Sequence, residues 1–215
     1  MDEWHDILPY LGNKRLVWWA QCSSLHHAIA ARYIQYAQWK KLGLRKCAKN
    51  GNLEGVKYLV EKGGADVHQG DECALRLASK KGHVQLVRYL VETEKADVHV
   101  WHDIALREAS KNGHLEIVRC LVEGGGANVH ACEDSSCAHS ALEWASLGGH
   151  LEIVRYLVER GGANVRAVDD WTLQWVKYIG HMEVVKYLVL KGANASVLKP
   201  KWGATWRKSV QTRAD

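Results

Sequence analysis

The chain has no phenylalanine, two prolines and two methionines among its 215 residues, so its aromatic character rests on ten tryptophans and eight tyrosines. It also lacks any long hydrophobic run. The longest apolar stretches are four to six residues, far short of the roughly 20 that span a bilayer. The opening Met1-Asp2-Glu3 is acidic where a secretory signal is basic. An intracellular protein with no membrane contact is therefore expected. Cysteine is sparse. Cys22, Cys47, Cys73, Cys120, Cys132 and Cys137 are mostly scattered, which suits buried thiols in a reducing compartment better than a disulfide framework. Under that reading the sequon Asn194-Ala195-Ser196 goes unused. No catalytic signature is present: there is no Gly-x-Gly-x-x-Gly after a strand, no phosphate loop, no Gly-x-Ser-x-Gly and no His-Glu-x-x-His. An enzyme is not expected.

Strong charge is missing as well. The net charge is +5, and most of it sits at the ends. Residues 199–215 carry Lys199, Lys201, Arg207, Lys208 and Arg213 against Asp215, a surplus of four, and residues 1–41 carry a surplus of two. Residues 42–198 must then total minus one. A nearly neutral body argues against a nucleic-acid groove, which concentrates Lys and Arg on one face. The basic tail alone keeps nucleic-acid binding open as an alternative.

What the chain does have is an internal repeat. Gly82-His83, Gly113-His114, Gly149-His150 and Gly180-His181 recur at steps of 31, 36 and 31 residues, and Gly51-Asn52 stands another 31 before them. Five units follow. Before each joint lies a run such as Ala74-Leu75-Arg76-Leu77-Ala78-Ser79, with Leu and Ala three apart, a spacing that puts both on one helical face. After it comes a second, longer helix. In the fourth copy Leu151, Val154, Leu157 and Val158 make its apolar stripe while Glu152, Arg155 and Glu159 face water. Gly63-Gly64, Gly125-Gly126, Gly161-Gly162 and Gly192 end these helices, because glycine adopts the left-handed closing conformation most easily. Ala-Asp-Val-His or Ala-Asn-Val then opens an extended finger.

These residues resemble the ankyrin repeat, with its Gly-His joint, Ile-Val-x-x-Leu-Leu second helix and Gly-Ala-Asp-Val-Asn exit. The resemblance covers about residues 42–197 and implies an all-α helical solenoid of five helix-loop-helix repeats that binds a partner protein. Two departures stand out. The family's Thr-Pro-Leu-His start is replaced by Ala-Leu-Arg, Ala-Leu-Glu or Thr-Leu-Gln, so Glu72, Asp103 and Asp170 are expected to cap the first helices instead. The connectors are about three residues shorter than the family's, so hairpin fingers should shrink to loops. The Ala-Leu-Arg dialect is similar to that of ankyrin arrays encoded by large DNA viruses.

In the family, partners meet the finger tips and the exposed end of the first helix. Here these map to Lys80, Lys81, Trp101, His102, Lys111, Asn112, Trp171 and Tyr178. Trp and Tyr are the residues that most often carry interface energy; the alternative is that Trp101 and Trp171 only cover a short loop. The Gly-His histidines stand one per repeat, and bonding to the turn backbone accounts for them better than catalysis or metal binding. A five-residue insertion gives His130-Ala131-Cys132-Glu133-Asp134-Ser135-Ser136-Cys137-Ala138-His139. Its spacing of His130, Cys132, Cys137 and His139 fits tetrahedral zinc, against a disulfide clasp or a plain surface loop. No other cofactor is expected.

Three parts result: residues 1–41, 42–197 and 198–215. The first has its own pattern, Ile7-Leu8-Pro9-Tyr10-Leu11, Leu16-Val17-Trp18-Trp19-Ala20 and Trp39-Lys40-Lys41-Leu42. It reads as a helical cap, which a solenoid requires. It also resembles an F-box, which implies docking to a cullin-RING ubiquitin ligase adaptor through Ile7, Leu8, Leu11 and Leu16, with the array selecting the substrate. The F-box opening Leu-Pro-x-Glu has no counterpart. The tail, with Trp202 and Trp206 among its basic residues, either caps the last repeat or grips an acidic partner.

Overall fold

The computed structural model describes residues 43–132 and 139–197. Ile7, Leu8, Leu11, Leu16, Cys137 and the basic tail lie outside the described residues. Among the described residues ten α-helices pair in chain order: α1 (43–50) with α2 (Leu53–Glu61), α3 (Gln69–Lys81) with α4 (Val84–Arg88), α5 (Val100–Lys111) with α6 (Leu115–Arg119), α7 (Ala141–Leu147) with α8 (Leu151–Glu159), and α9 (Asp170–Ile179) with α10 (Met182–Leu190). The five pairs match the five sequence units. Among the described residues there is no strand, so the fingers are loops and turns. The chain divides between Asp97 and Val98 into two compact units.

In the first unit, Val56, Leu59, Leu75, Ala78, Leu86, Val87 and Leu90 are buried. In the second, α7 packs between α5 and α9, and α8 contacts α6 and α10, giving one layer of first helices and one of second helices. Between the layers lie Leu106, Ala109, Ile117, Leu121, Leu142, Ala145, Leu157, Leu173, Val176 and Leu188. Each large aliphatic side chain removed from water here contributes about 1.5–3 kcal/mol. A lone pair of helices cannot supply this, which is why the repeats stack. The stripe on α8 is displaced from the one expected. Ile153, Val154 and Leu157 are fully buried, while Leu151 and Val158 are only half-buried, because the helix turns the face between Ile153 and Leu157 toward the layer of first helices.

The joints and exits follow one backbone rule. Gly51, Gly82, Gly113, Gly149 and Gly180 all end a first helix with positive φ. Gly64, Gly126, Gly162 and Gly192 do the same after second helices, but the second repeat has no glycine there, and Lys95 takes φ +55°. After each turn an alanine amide returns to the helix, as in Ala65 N to Leu59 O and Ala163 N to Leu157 O, both at 2.8–2.9 Å. The helices α4 and α6 widen into π turns, Tyr89–Thr93 and Cys120–Gly124, before reaching it.

The shortened connectors are accommodated by an unexpected device. Gly70, Asp71 and Glu72 at the start of α3, and Trp101, His102 and Asp103 at the start of α5, each form three consecutive left-handed residues. One such turn reverses the chain in the space where a longer hairpin would otherwise stand.

Candidate functional site

The carboxylates expected to cap the first helices do something else. Glu72 Oε1 accepts from the backbone amide of Asp97 at 3.1 Å, and Asp103 Oδ1 accepts from that of Asn128 at 2.9 Å. Each therefore holds the finger 25 residues ahead, and each is also met by a histidine on its own finger, His68 Nδ1 at 2.6 Å and His99 Nδ1 at 3.1 Å. The left-handed turn aims these acids inward, which takes them away from the amides of their own helices. In the fourth repeat Glu143 has this role. It closes a capping box with Ser140, accepting from the Ser140 amide at 2.8 Å, and reaches the Asp169 amide at 3.4 Å. In the fifth repeat the cap is Asp169, whose side chain accepts from Thr172 N, and not Asp170.

These bonds set the fingers against the first helices and so fix the exposed face above them. In the second unit that face is aromatic. His139 meets Trp144 edge-on with ring centroids 5.0 Å apart and stacks on Trp171 at 5.6 Å with 10° between planes. Trp171 meets Trp175 at 5.5 Å, and Trp175 meets Tyr178 edge-on at 5.4 Å. Along α9, positions 171, 175 and 178 are spaced i, i+4, i+7 on one face, opposite the buried Thr172, Leu173 and Val176. Trp171 is 51% exposed, Trp175 39% and Tyr178 81%. At the other end, Lys111 Nζ lies 3.9 Å over the Trp144 ring, a cation–π contact. Arg107 ties the finger to the run by donating to the carbonyls of Trp101 at 3.1 Å and His139 at 3.4 Å.

Of the expected contact residues, Lys111, Trp171 and Tyr178 thus fall on one continuous run, and Trp101 is joined to it through Arg107. Trp101 is 54% exposed and stands out from its finger at φ +51°. His102 and Asn112 are exposed, with Asn112 donating to the Glu108 carbonyl at 2.7 Å. Lys80 and Lys81 are exposed at the end of α3 in the first unit. Sequence reasoning missed Trp144, Trp175 and His139 as members of the run. The heptad-like spacing of 171, 175 and 178 was available for Trp175; nothing local marks His139, which reaches Trp171 across a connector.

The Gly-His histidines lie one per repeat, as expected, but the rings of His83, His150 and His181 cross to the preceding repeat. His83 Nε2 is 3.0 Å from Lys49 O and His150 Nε2 is 3.1 Å from Lys111 O. Bonding within the histidine's own turn is replaced by a bond between repeats. In the inserted loop His130 is exposed, Cys132 is buried and disulfide-bonded, and His139 belongs to the aromatic run. Among the described residues no group of three or more His, Cys, Asp or Glu side chains is placed to hold a metal. No described helix is long and apolar enough to cross a membrane.

On the outer helices three tyrosines donate to glutamates: Tyr89 to Glu94, Tyr156 to Glu123 at 2.9 Å and Tyr187 to Glu159 at 3.0 Å. Burial and the neighbouring carboxylate push the Tyr156 and Tyr187 hydroxyls up to about 12, so they stay protonated donors.

The family model for ankyrin repeats in three copies matches residues 9–101, 44–131 and 106–199. The chain belongs to the ankyrin-repeat family. Its first match begins within residues 1–41, the segment also read as a cap or an F-box. No curated protein matches the chain. Ankyrin repeats generally mediate protein–protein interaction, and the family is a non-catalytic interaction module.

Proposed function

We propose that this chain binds a partner protein through the aromatic run Trp144–His139–Trp171–Trp175–Tyr178. The supporting observation is the exposure of three large rings on one face of α9, in a fold where the opposite face is fully used by the core. Exposed aromatics that contact one another are already ordered, so little side-chain entropy is lost when a partner covers them. Hot spots of this composition typically cost ~2 kcal/mol or more on truncation. The test is capture of partners by the intact chain and by Trp171→Ala and Trp175→Ala. Partners that bind through this surface are lost from both variants and retained by Lys191→Ala; equal recovery by all three refutes the reading.

A finer reading makes the chain a substrate receptor for a cullin-RING ubiquitin ligase, with Ile7, Leu8, Leu11 and Leu16 docking the adaptor. It is supported by the F-box-like pattern of residues 7–20. Association with the adaptor that disappears on Leu8→Glu is the expected result; no association leaves a free-standing scaffold or inhibitor. For the inserted loop, a zinc site of His130, Cys132, Cys137 and His139 requires the reduced cysteines and about one equivalent of metal lost on Cys132→Ser. Nucleic-acid binding through the tail requires affinity that falls steeply with salt.

A further inference from the structure

We infer that the first helices of the first unit, α1 and α3, bind an Asp- or Glu-rich segment of a partner protein through Arg45, Lys49, Arg76 and Lys80, a second contact surface that does not depend on the aromatic run.

The nearly neutral body is a sum of unlike parts. Residues 43–50 of α1 and 73–81 of α3 carry Arg45, Lys46, Lys49, Arg76, Lys80 and Lys81 and no acidic residue. Glu54, Glu61, Glu92 and Glu94 belong instead to the second helices and their exits, where Lys57 pairs with Glu54 at 3.4 Å and Arg88 with Glu92 at 3.8 Å. The acids at the start of α3 stand in its left-handed turn, and Glu72 is buried there and held by His68 and the Asp97 amide. Summed along the chain the two signs cancel; sorted by helix they separate.

Position makes these cations act together. Leu44, Cys47 and Ala48 are buried on α1, and Ala74, Leu75, Ala78 and Ser79 on α3. The helical period puts Arg45 with Lys49, and Arg76 with Lys80, on the opposite face, each pair one turn apart. Arg45, Lys49 and Lys80 are exposed and Arg76 is half-buried. The two pairs share one register, 31 residues apart. Their helices are neighbours, since His83, at the joint after α3, has Nε2 3.0 Å from Lys49 O and its ring over Gly51. Packed helices lie about 8–10 Å apart, so the four cations mark the corners of a patch roughly 6 by 9 Å.

The fold alone does not account for the patch. Helix C-termini favour cations, which explains Lys49, Lys80 and Lys81 but not Arg45 and Arg76 a turn earlier. Like charges at i, i+4 destabilise a helix, and both helices carry such a pair. In the third repeat the corresponding cations serve the structure: Arg107 donates to the carbonyls of Trp101 and His139, and Lys111 lies over Trp144.

The patch also selects its partner. Guanidinium forks match carboxylates in a bidentate way, and lysines add point charges. An extended segment with acids at alternate positions spaces its carboxylates roughly 7 Å apart, close to the separation of the corners. Single-stranded nucleic acid needs exposed rings on which bases stack, and among the described residues of the first unit no large aromatic side chain is exposed. Duplex binders meet many phosphates along a groove, whereas this patch is two helices wide.

Fluorescence anisotropy on the intact chain tests the face, with a fluorescein-labelled peptide of alternating Glu and Thr about 12 residues long as the probe. Arg45→Glu/Arg76→Glu weakens binding at least about tenfold. Lys62→Glu/Arg88→Glu, after α2 and on α4, changes the net charge equally and weakens it less than about twofold. Arg45→Gln/Arg76→Gln removes the charges without reversing them and gives an intermediate loss, with helical circular dichroism retained. Equal losses from the two Glu pairs reduce the effect to the general field of the chain and overturn the inference, as does a peptide that fails to bind at about 1 mM. A DNA oligonucleotide of equal charge that binds more tightly than the peptide and is lost with Arg45→Glu/Arg76→Glu also overturns it, assigning the face to nucleic acid. Because this face belongs to the first unit and the aromatic run to the second, partner capture by Trp171→Ala and peptide binding by Arg45→Glu/Arg76→Glu fail independently.

Discussion

The imidazole of His83 lies directly over Gly51, so close that a Cβ on the glycine would stand 2.4 Å from Nδ1. His150 covers Gly113 and His181 covers Gly149 in the same way, with clearances of 2.7 and 2.5 Å. At these three joints the Gly-His pair is therefore a lock between repeats: the glycine of one joint is the seat for the histidine of the next. Gly51→Ala is expected to cost about 2 kcal/mol or more, from the left-handed φ of +72° together with displacement of the ring. His83→Ala in the same chain removes the second part only, so a thermal-denaturation double-mutant cycle reads less than additive losses.

Lys95 is the exposed residue that closes the second repeat at φ +55° without a glycine. A side chain in that conformation costs roughly 1–2 kcal/mol, part of which is offset by the greater unfolded-state freedom of glycine. Lys95→Gly is expected to stabilise the chain by about 0.5–1 kcal/mol, measured as a higher midpoint of thermal unfolding. No change, or a loss, contradicts the strain.

Glu143 is buried and serves two amides, Ser140 N and Asp169 N. Glu143→Ala strands both, at about 1–3 kcal/mol for the buried Ser140 amide and less for the part-buried Asp169 amide. Glu143→Gln keeps an acceptor and should lose less. Hydrogen exchange at the Asp169 amide distinguishes this from general loosening, since that amide loses protection first.

The His68–Glu72 pair makes a pH-dependent contribution. The hydrogen bond to Glu72 raises His68 above its ordinary 6.5, assisted by the charges of Glu72, Asp66 and Glu94 and opposed by partial burial. A raised value means the folded chain holds the proton more tightly, so the contribution is complete below about 6.5 and is lost as pH rises through the raised value. Thermal midpoints should fall as pH rises from about 6.5 through the raised value, and His68→Ala should flatten that slope. Identical slopes for the two proteins would exclude the pair as its source.

Much of the fold could be read from residues whose spacing reports a helical face. Leu75 and Ala78, Leu106 and Ala109, and Leu142 and Ala145 fell in the core as expected, because periods of three and four leave no other orientation. The closing glycines were legible for the same local reason. The roles of Glu72, Asp103 and Glu143 were not, because their acceptors meet amides 25 or 26 residues away, and no local pattern names a distant donor. Trp171 and Tyr178 were expected at the surface, but their joining through Trp175 to His139 depends on packing between repeats.

The forward-reaching carboxylates also explain how one repeat tolerates five additional residues. Glu143 lies beyond the insertion and clasps the amide ahead of it, so the spacing that keeps successive pairs in step is measured entirely downstream of the extra residues. Material added between Cys132 and His139 does not enter that measurement. Added length in this connector accordingly leaves the clasp between the last two repeats unchanged.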